Sequence, residues 1–532
     1  MFLKKIKNIA FYIFLFLFCL AFGLHRNIPD LDLWARLLQG KAFWQLGHIL
    51  KQDPFSFTPV HNWYDHEWGS SVVFYLFQDK FGAWGLIFLK AILIFLILFF
   101  IIQTINLRKL KYTSSAFNFL FWFFTLHAMV NVCMTTVRCH LFSFAFFAMF
   151  LYILERVRIK NQNKLLILLP IFMVIWSNMH GGCVAGLGLI ILYSIGEFLN
   201  KKEYKKYIIT SVFTFLAFFI NPYGFEYVKF LLMATTMKRP LIEEWVNSFV
   251  GVWNKHFLYK FYLIFSIIIA LSSFIKSKLD KKNIDYTRYI VLLMTIYLSI
   301  SHVKLQPFLP IAAAAYFYDD FYCFFNKLVD FTNKILHITN ENVKRIFKNT
   351  KEIIVYFFIT LFIINTIMTF SPVPQIIKHA YPYFAVEFIK KNNIKGKVIA
   401  PFGSGSYVIY KLYPDNLVYM DGRYEEVYPN EVFNLLAVFM DGLSGWEYIF
   451  TYKPDIFIIP IDSRAYFNMT NRKDFKEAFS CNKFAVFLKN ELYREDYKLP
   501  TNNYSYYMDT LFDTKVNYLK PPIINGKKVE FK

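Results

Sequence analysis

Cysteine is scarce in this chain, with six in 532 residues at Cys19, Cys133, Cys139, Cys183, Cys323 and Cys481, five of them in or beside apolar runs. That distribution offers no disulfide framework and no thiolate metal site. Acidic residues are also few, 37 against 59 Lys and Arg, which leaves a formal charge of +22. From Pro372 onward the two signs nearly balance, so the excess lies among the apolar segments. That location points to lipid headgroups and topology rather than to a nucleic-acid face. There is no internal repeat and no low-complexity stretch. No small-residue cleavage site follows the apolar run at 8–24, which therefore reads as an uncleaved first span rather than a signal peptide.

What is abundant is apolar side chain. At 56% hydrophobic residues with 64 Phe, the chain carries more than one soluble core can bury, and lipid is the solvent expected for most of it. Further apolar runs lie near 83–105, 114–133, 139–155, 165–178, 183–199, 208–221, 260–276, 287–302, 307–325 and 353–371, giving about eleven spans, several of them shorter than the ~20 residues a lone crossing needs. Basic clusters fall between them at Arg108, Lys109 and Lys111; at Arg156, Arg158, Lys160 and Lys164; at Lys201, Lys202, Lys205 and Lys206; at Lys276, Lys278, Lys281 and Lys282; and at Lys334, Lys344, Arg345 and Lys348. With that span count every cluster shares the side of the N-terminus, the cytoplasmic side.

The opposite face then receives loop 25–82, the turn at 179–182, the stretch 222–259, the turn near His302 and everything after Ser371. Trp34, Trp44, Trp63 and Trp68, with Trp84 at the start of the next span, place half of the ten tryptophans in or beside loop 25–82. Leu31, Trp34, Leu38 and Ala42 recur there at helical spacing, predicting an amphipathic helix along the membrane interface. The expected organisation is a mainly α, polytopic membrane domain over 1–371 and an extracytoplasmic α/β domain over 372–532, irregular beyond about 494, joined by the linker Ser371-Pro-Val-Pro374. Strand-like runs at Lys397–Ala400, Leu417–Asp421, Asp455–Pro460 and Phe484–Leu488 alternate with helical stretches near 381–392, 429–440 and 444–452, predicting a mainly parallel sheet.

Two acidic constellations in loop 25–82 have the makings of chemistry. Asp30 and Asp32, where a span meets the loop, suit either a divalent cation with substrate phosphate or a general base with a tuning partner. The bland alternative is a helix cap and a solvated first-turn acid. Asp65, His66 and Glu67, between Tyr64 and Trp68, suit a second wall of a site, against the alternative of an ordinary interfacial loop. Arg138, His140, His180, Glu244 and Lys304 share the same face near the membrane boundary, where ionisable groups are costly and turn to a polar cavity or to each other. Asp421-Gly-Arg423 at a strand end reads as a structural Asp–Arg pair.

The runs Asp30-Leu-Asp32-Leu-Trp34…Gly40, Asp53-Pro-Phe-Ser-Phe-Thr58 and Asp65-His-Glu-Trp68 resemble the first outer loop of bacterial membrane proteins related to the C-type (GT-C) glycosyltransferase superfamily. The resemblance continues through Trp176-Ser-Asn-Met-His-Gly-Gly182, Asn221-Pro-Tyr-Gly224, Ile242-Glu-Glu-Trp245, Gly403-Ser-Gly-Ser-Tyr407 and Asp421-Gly-Arg423. It implies a multi-pass enzyme of the bacterial inner membrane that takes sugar from a polyprenyl-phosphate donor and gives it to a glycan, lipid or protein acceptor on the outer face. Asp30 and Asp32 would be its acidic pair, with or without a divalent metal such as Mg or Mn, and Asp65, His66 and Glu67 would bind substrate. The chain has His-Glu-Trp where the aminoarabinose and protein-mannosyl branches carry a Lys-Pro-Pro element, so their substrate rules do not transfer. A ligase that moves whole polysaccharides or O-antigen, a transporter and a non-enzymatic scaffold are the rival readings; the concentration of acids in one outer loop and the lack of a repeat weigh against transport.

Overall fold

The structure, a computed structural model, describes residues 12–13, 15–21, 30–108, 115–133, 136–237, 242–251, 256–335, 381–481, 483–498, 523–524 and 527–528. The expected span at 353–371, the linker at 371–374 and part of the run at 8–24 lie outside them. The chain divides into two compact units, one of Met1–Asn27 and Ile87–Pro372, the other of Ile28–Leu86 and Val373–Lys532. The first loop therefore groups with the C-terminal residues.

The first unit is helical. Among the described residues, four helices are long and apolar enough to cross a membrane: Trp68–Leu107, His140–Lys160, Gly181–Leu199 and Phe257–Leu279. Leu168–Met179, Lys205–Leu216 and Tyr286–Ser301 are shorter. The span count of about eleven expected above goes beyond these four. Their polarity is inverted relative to a soluble bundle. Helix Phe257–Leu279 exposes Phe261, Ile264, Ile268, Leu271 and Ile275 at helical spacing, and buries Tyr259, Tyr262, Ser266 and Ser273. An apolar stripe of that length facing outward suits lipid and not water. At one end of the unit, Arg158 reaches Glu155 (2.8 Å), Asp285 (2.5 Å) and Glu197 (3.5 Å), Arg108 reaches Glu155 (2.9 Å), and Arg288 pairs with Asp320 (2.8 Å). These bonds tie the helix ends together. Arg158, counted above among the topology-setting cations, is thus a buried partner of carboxylates.

The second unit holds the helix Leu33–Leu46, the beginning of Trp68–Leu107 and a seven-stranded sheet. The strands are β1 (Gly396–Ile399), β2 (Asn416–Val418), β3 (Ile456–Pro460), β4 (Phe475–Cys481), β5 (Phe484–Lys489), β6 (Ile523–Ile524) and β7 (Lys527–Lys528), in the order β2-β1-β3-β5-β4-β6-β7. The sheet is mixed, not mainly parallel. Only β1–β2 and β1–β3 run parallel; β5 pairs antiparallel with both β3 and β4, and β4 turns straight back into β5 as a hairpin. The first loop extends the β2 edge: Phe57 N–H donates to Val418 O (3.1 Å) and Val418 N–H to Phe55 O (3.1 Å), a parallel bridge at Ser56.

The helix at Leu33–Leu46 is not the one-sided interfacial helix expected from its spacing. All eight residues from Leu33 to Gly40 are buried, so its first two turns lie inside the fold. Trp34 is enclosed by Tyr381, Tyr407 and Tyr410, with ring centroids at 5.9, 5.1 and 5.3 Å. Gly40 marks a close crossing: a Cβ there would stand 2.1 Å from Ser71 O.

Candidate functional site

Helix Leu33–Leu46 carries Arg36 into the second unit, where its side chain is 5% exposed. Its guanidinium donates to Asp65 Oδ1 (2.7 Å), Gln39 Oε1 (3.1 Å) and Glu426 Oε1 (2.7 Å), and its Nε lies 2.8 Å from Glu67 Oε2. His66 completes the group, with Nδ1 3.2 Å from Glu426 Oε1 and Nε2 3.7 Å from Glu67 Oε1. Three carboxylates thus surround one guanidinium, so the buried cluster is negative unless it takes up positive charge. Burial pushes the Asp65 carboxyl up to about 6, against the pull of Arg36, and the nearby Glu426 adds to the rise. Glu426 sits on the short helix Tyr424–Val427, far along the chain from loop 25–82.

A second arginine lies close by. Arg423 grips Asp421 through Nε (2.9 and 3.0 Å to the two oxygens), reaches Asp53 with Nη1 (2.7 Å) and donates to Tyr428 Oη with Nη2 (3.1 Å). Its guanidinium carbon lies 4.9 Å from the centroid of the Trp63 ring and 5.2 Å from that of Phe55. Burial opposes its charge, but Asp421 and Asp53 hold it protonated well above the ordinary range. Trp63 serves both arginines, since its indole N–H also donates to Glu426 Oε2 (3.4 Å).

Asp30 and Asp32 lie at the start of the same helix and are half-buried. Asp30 Oδ1 accepts the Asp32 N–H (3.0 Å), a local turn that sets the helix start, while Asp32 makes no side-chain cap bond. The Asp32 carboxylate lies over Gly422: a Cβ there would be 2.1 Å from Asp32 Oδ1. The metal-like arrangement in the described residues is a different set from this expected pair. His66, Glu67 and Glu426 each offer a ligand atom, all within 4.8 Å of one another. One imidazole and two carboxylates suit Mn better than Mg, and Arg36 already supplies positive charge to the same two carboxylates.

The remaining expected residues gather in the first unit. Arg138 donates to Glu244 (2.5 Å); the next residue, Trp245, packs on His302 (ring centroids 5.0 Å apart) and under the Lys304 ammonium (4.3 Å from the ring centroid). His140, two residues after Arg138, lies against His180, with ring centroids 4.5 Å apart. The ten expected residues thus form two groups of five, one per unit. Arg36 and Glu426 were missed. The only local sign of Arg36 was a lone charge inside the apolar run Leu33-Trp-Ala-Arg-Leu-Leu38. Trp34 is a core residue with no exposed surface.

The fold is similar to that of two solved oligosaccharyltransferases. An archaeal oligosaccharyltransferase AglB from Archaeoglobus fulgidus, solved in complex with an inhibitory peptide and a dolichol-phosphate, superposes with a TM-score of 0.57 at 10% identity, over 91% of this chain and 75% of that one. An Archaeoglobus fulgidus oligosaccharyltransferase tethered to an acceptor peptide containing the NVT sequon gives a TM-score of 0.56 at 9% identity, over 90% and 74%. At that identity the likeness is one of fold. No protein-family model matches the chain, and no curated protein sequence does.

Proposed function

We propose that the chain is a membrane glycosyltransferase that moves a sugar from a polyprenyl-phosphate-linked donor to an acceptor on the extracytoplasmic side of a bacterial inner membrane. The observation that carries the reading is the fold shared with an oligosaccharyltransferase over nine-tenths of the chain. That structure was solved with an inhibitory peptide and a dolichol-phosphate, and the second with an acceptor peptide.

In this reading Asp32 is the base and Asp30 holds the turn that presents it. Asp32 takes the proton of the acceptor hydroxyl as its oxygen attacks the anomeric carbon; the bond from that carbon to the lipid phosphate breaks, and the electron pair leaves on the phosphate oxygen with inversion. The His66–Glu67–Glu426 set is the candidate for a divalent metal, whose chemistry would be charge neutralisation at the phosphate.

The test compares surface glycans by mass spectrometry in a deletion strain and in one carrying Asp30→Asn and Asp32→Asn. Both should lose the same glycan species. An unchanged profile on deletion sinks the glycosyltransferase reading; loss on deletion with full restoration by the double variant removes the base assignment alone.

A further inference from the structure

The helix Trp68–Leu107 has 40 residues, a length of about 60 Å, roughly twice what one crossing of the hydrocarbon needs. It is not one rod. Gly82 sits at φ 61° and ψ −148°, a conformation open to glycine and strained for a residue with a Cβ. The chain turns so sharply there that a Cβ on Gly85 would stand 2.1 Å from Phe77 O, where a straight helix would hold the two residues about 12 Å apart. The part after the corner, residues 83–107, is about 37 Å long, enough to cross. The part before it, residues 68–81, is about 21 Å long and too short to do so.

What surrounds the corner is apolar and uncovered. Phe81 is 66% exposed and Trp84 46%, one on each side of Gly82. The helix Leu33–Leu46, buried in its first two turns, ends in Trp44 at 51% and Leu46 at 52%. The Trp44 indole N–H donates to Val72 O (3.2 Å), which ties that ring to the helix before the corner. Along the same helix Phe77 packs on Phe81, with ring centroids 6.3 Å apart. Two exposed cations, Lys41 and Lys80, belong to these helices, and the neighbouring Asp79 carboxylate is paired with Lys80 (3.2 Å). Aromatic surface of this kind is costly to leave in water.

We infer that Trp44, Leu46, Phe81 and Trp84 are seated in the headgroup layer of the bilayer, so that residues 68–81 and the last turns of Leu33–Leu46 lie along the membrane surface. The partner is lipid and not protein because the patch runs without a break into a spanning stretch: Trp84 opens it, and Phe88, one turn on, is 44% exposed. Tryptophan at the end of a span, with lysine just outside it, is what a membrane interface favours. The corner at Gly82 thereby sets the height at which the helix that starts after Asp32 and carries Arg36 is held against the bilayer. The inference rests on the membrane-spanning part of the reading above and not on glycosyl transfer.

Quenching of tryptophan fluorescence by brominated lipids, on the full chain in nanodiscs, tests it, each indole being read by difference from wild type. Trp44→Phe and Trp84→Phe remove an indole; Phe81→Trp and Ile268→Trp add one. All four positions are exposed, and Ile268, 45% exposed in the helix Phe257–Leu279, is the reference for a span. The indoles at positions 44, 81 and 84 should be quenched about twofold more by bromine near the top of the acyl chain than by bromine near its end, and the indole at 268 in the opposite order. Quenching at 268 with none at 44 and 81 takes the patch off the membrane and overturns the inference. Stronger quenching at 44 and 81 by the deep bromine overturns it too, since both would then lie inside the hydrocarbon. If the indole at 268 is also unquenched, the spanning reading itself falls and this inference falls with it.

Discussion

The two buried arginines of the second unit join the same partners, the first loop and the C-terminal residues, in opposite electrostatic styles. Arg423 is sealed: its side chain is 1% exposed, Asp53 is 0%, and aromatic faces fill the space around the guanidinium. Arg36 faces three carboxylates and an imidazole, with His66 18% and Glu67 12% exposed. One cluster is closed and carries one negative charge in excess; the other carries two while His66 is neutral. A proton on Asp65 and another on His66, or one divalent cation, would bring it to zero. The comparison separates a structural staple from a site able to take up charge, although both are written in the sequence as similar short acidic motifs.

Removing the staple should have the largest effect. Arg423→Met leaves Asp421 and Asp53 buried without their cation and empties the slot between Trp63 and Phe55. A loss of about 4 kcal/mol or more is expected in the second unit. Amide hydrogen exchange across residues 30–86 and 381–498 should show it at pH 8 and at pH 5.5 alike, because acid does not refill the slot. Arg36→Met should cost about 3–5 kcal/mol at pH 8 but less than half of that at pH 5.5, where protons replace the lost cation. If the two variants show the same pH response, the contrast between the clusters is false.

The wild-type chain should show the same asymmetry more weakly. The Asp65 carboxyl is raised in the folded state from 3.8 to about 6, so between those values the folded chain holds more protons than the unfolded one. The stability this group contributes is complete below pH 3.8 and is lost as pH rises through 6, an effect on the order of 3 kcal/mol. Exchange in the loop around Asp65 should therefore quicken between pH 5.5 and pH 7.5 beyond its intrinsic rate, and Asp65→Asn should abolish that excess.

Much of this was legible in the sequence as points rather than as pairings. The acidic motifs, the inner strands β1, β3 and β5, and the membrane character each leave a local signal of composition or period. β4 leaves none, because a register shift between Glu477 and Phe479 breaks its alternation. The helix Phe402–Leu412 opens on Gly403-Ser-Gly-Ser406, which reads as loop. It is helical because Gly405 allows close approach to the end of the sheet, where a Cβ would stand 2.2 Å from Met420 O. Arg36 and Glu426 are 390 residues apart, and no local pattern joins them. The amphipathic reading of Leu33–Leu46 failed for the complementary reason: spacing identifies one apolar face but says nothing of what covers the other.

The smallest expected effect is the sharpest probe of the acidic pair. Gly422 stands between the Arg423 staple and Asp32, and its N–H donates to Ser406 Oγ at 3.1 Å. A methyl group added there meets the Asp32 carboxylate at 2.1 Å, but that is the end of a side chain able to swing aside, whereas the next contact, Ser406 Oγ, is at 3.1 Å. Gly422→Ala should therefore cost about 1 kcal/mol or less in stability while displacing the carboxylate of Asp32. If Asp32 is the base, the rate of glycosyl transfer should fall at least tenfold with hydrogen exchange at the Arg423 cluster unchanged, since small misplacement of a reacting group is costly. Full activity in Gly422→Ala, with the staple intact, would detach Asp32 from the chemistry and leave it a turn residue at the start of a buried helix.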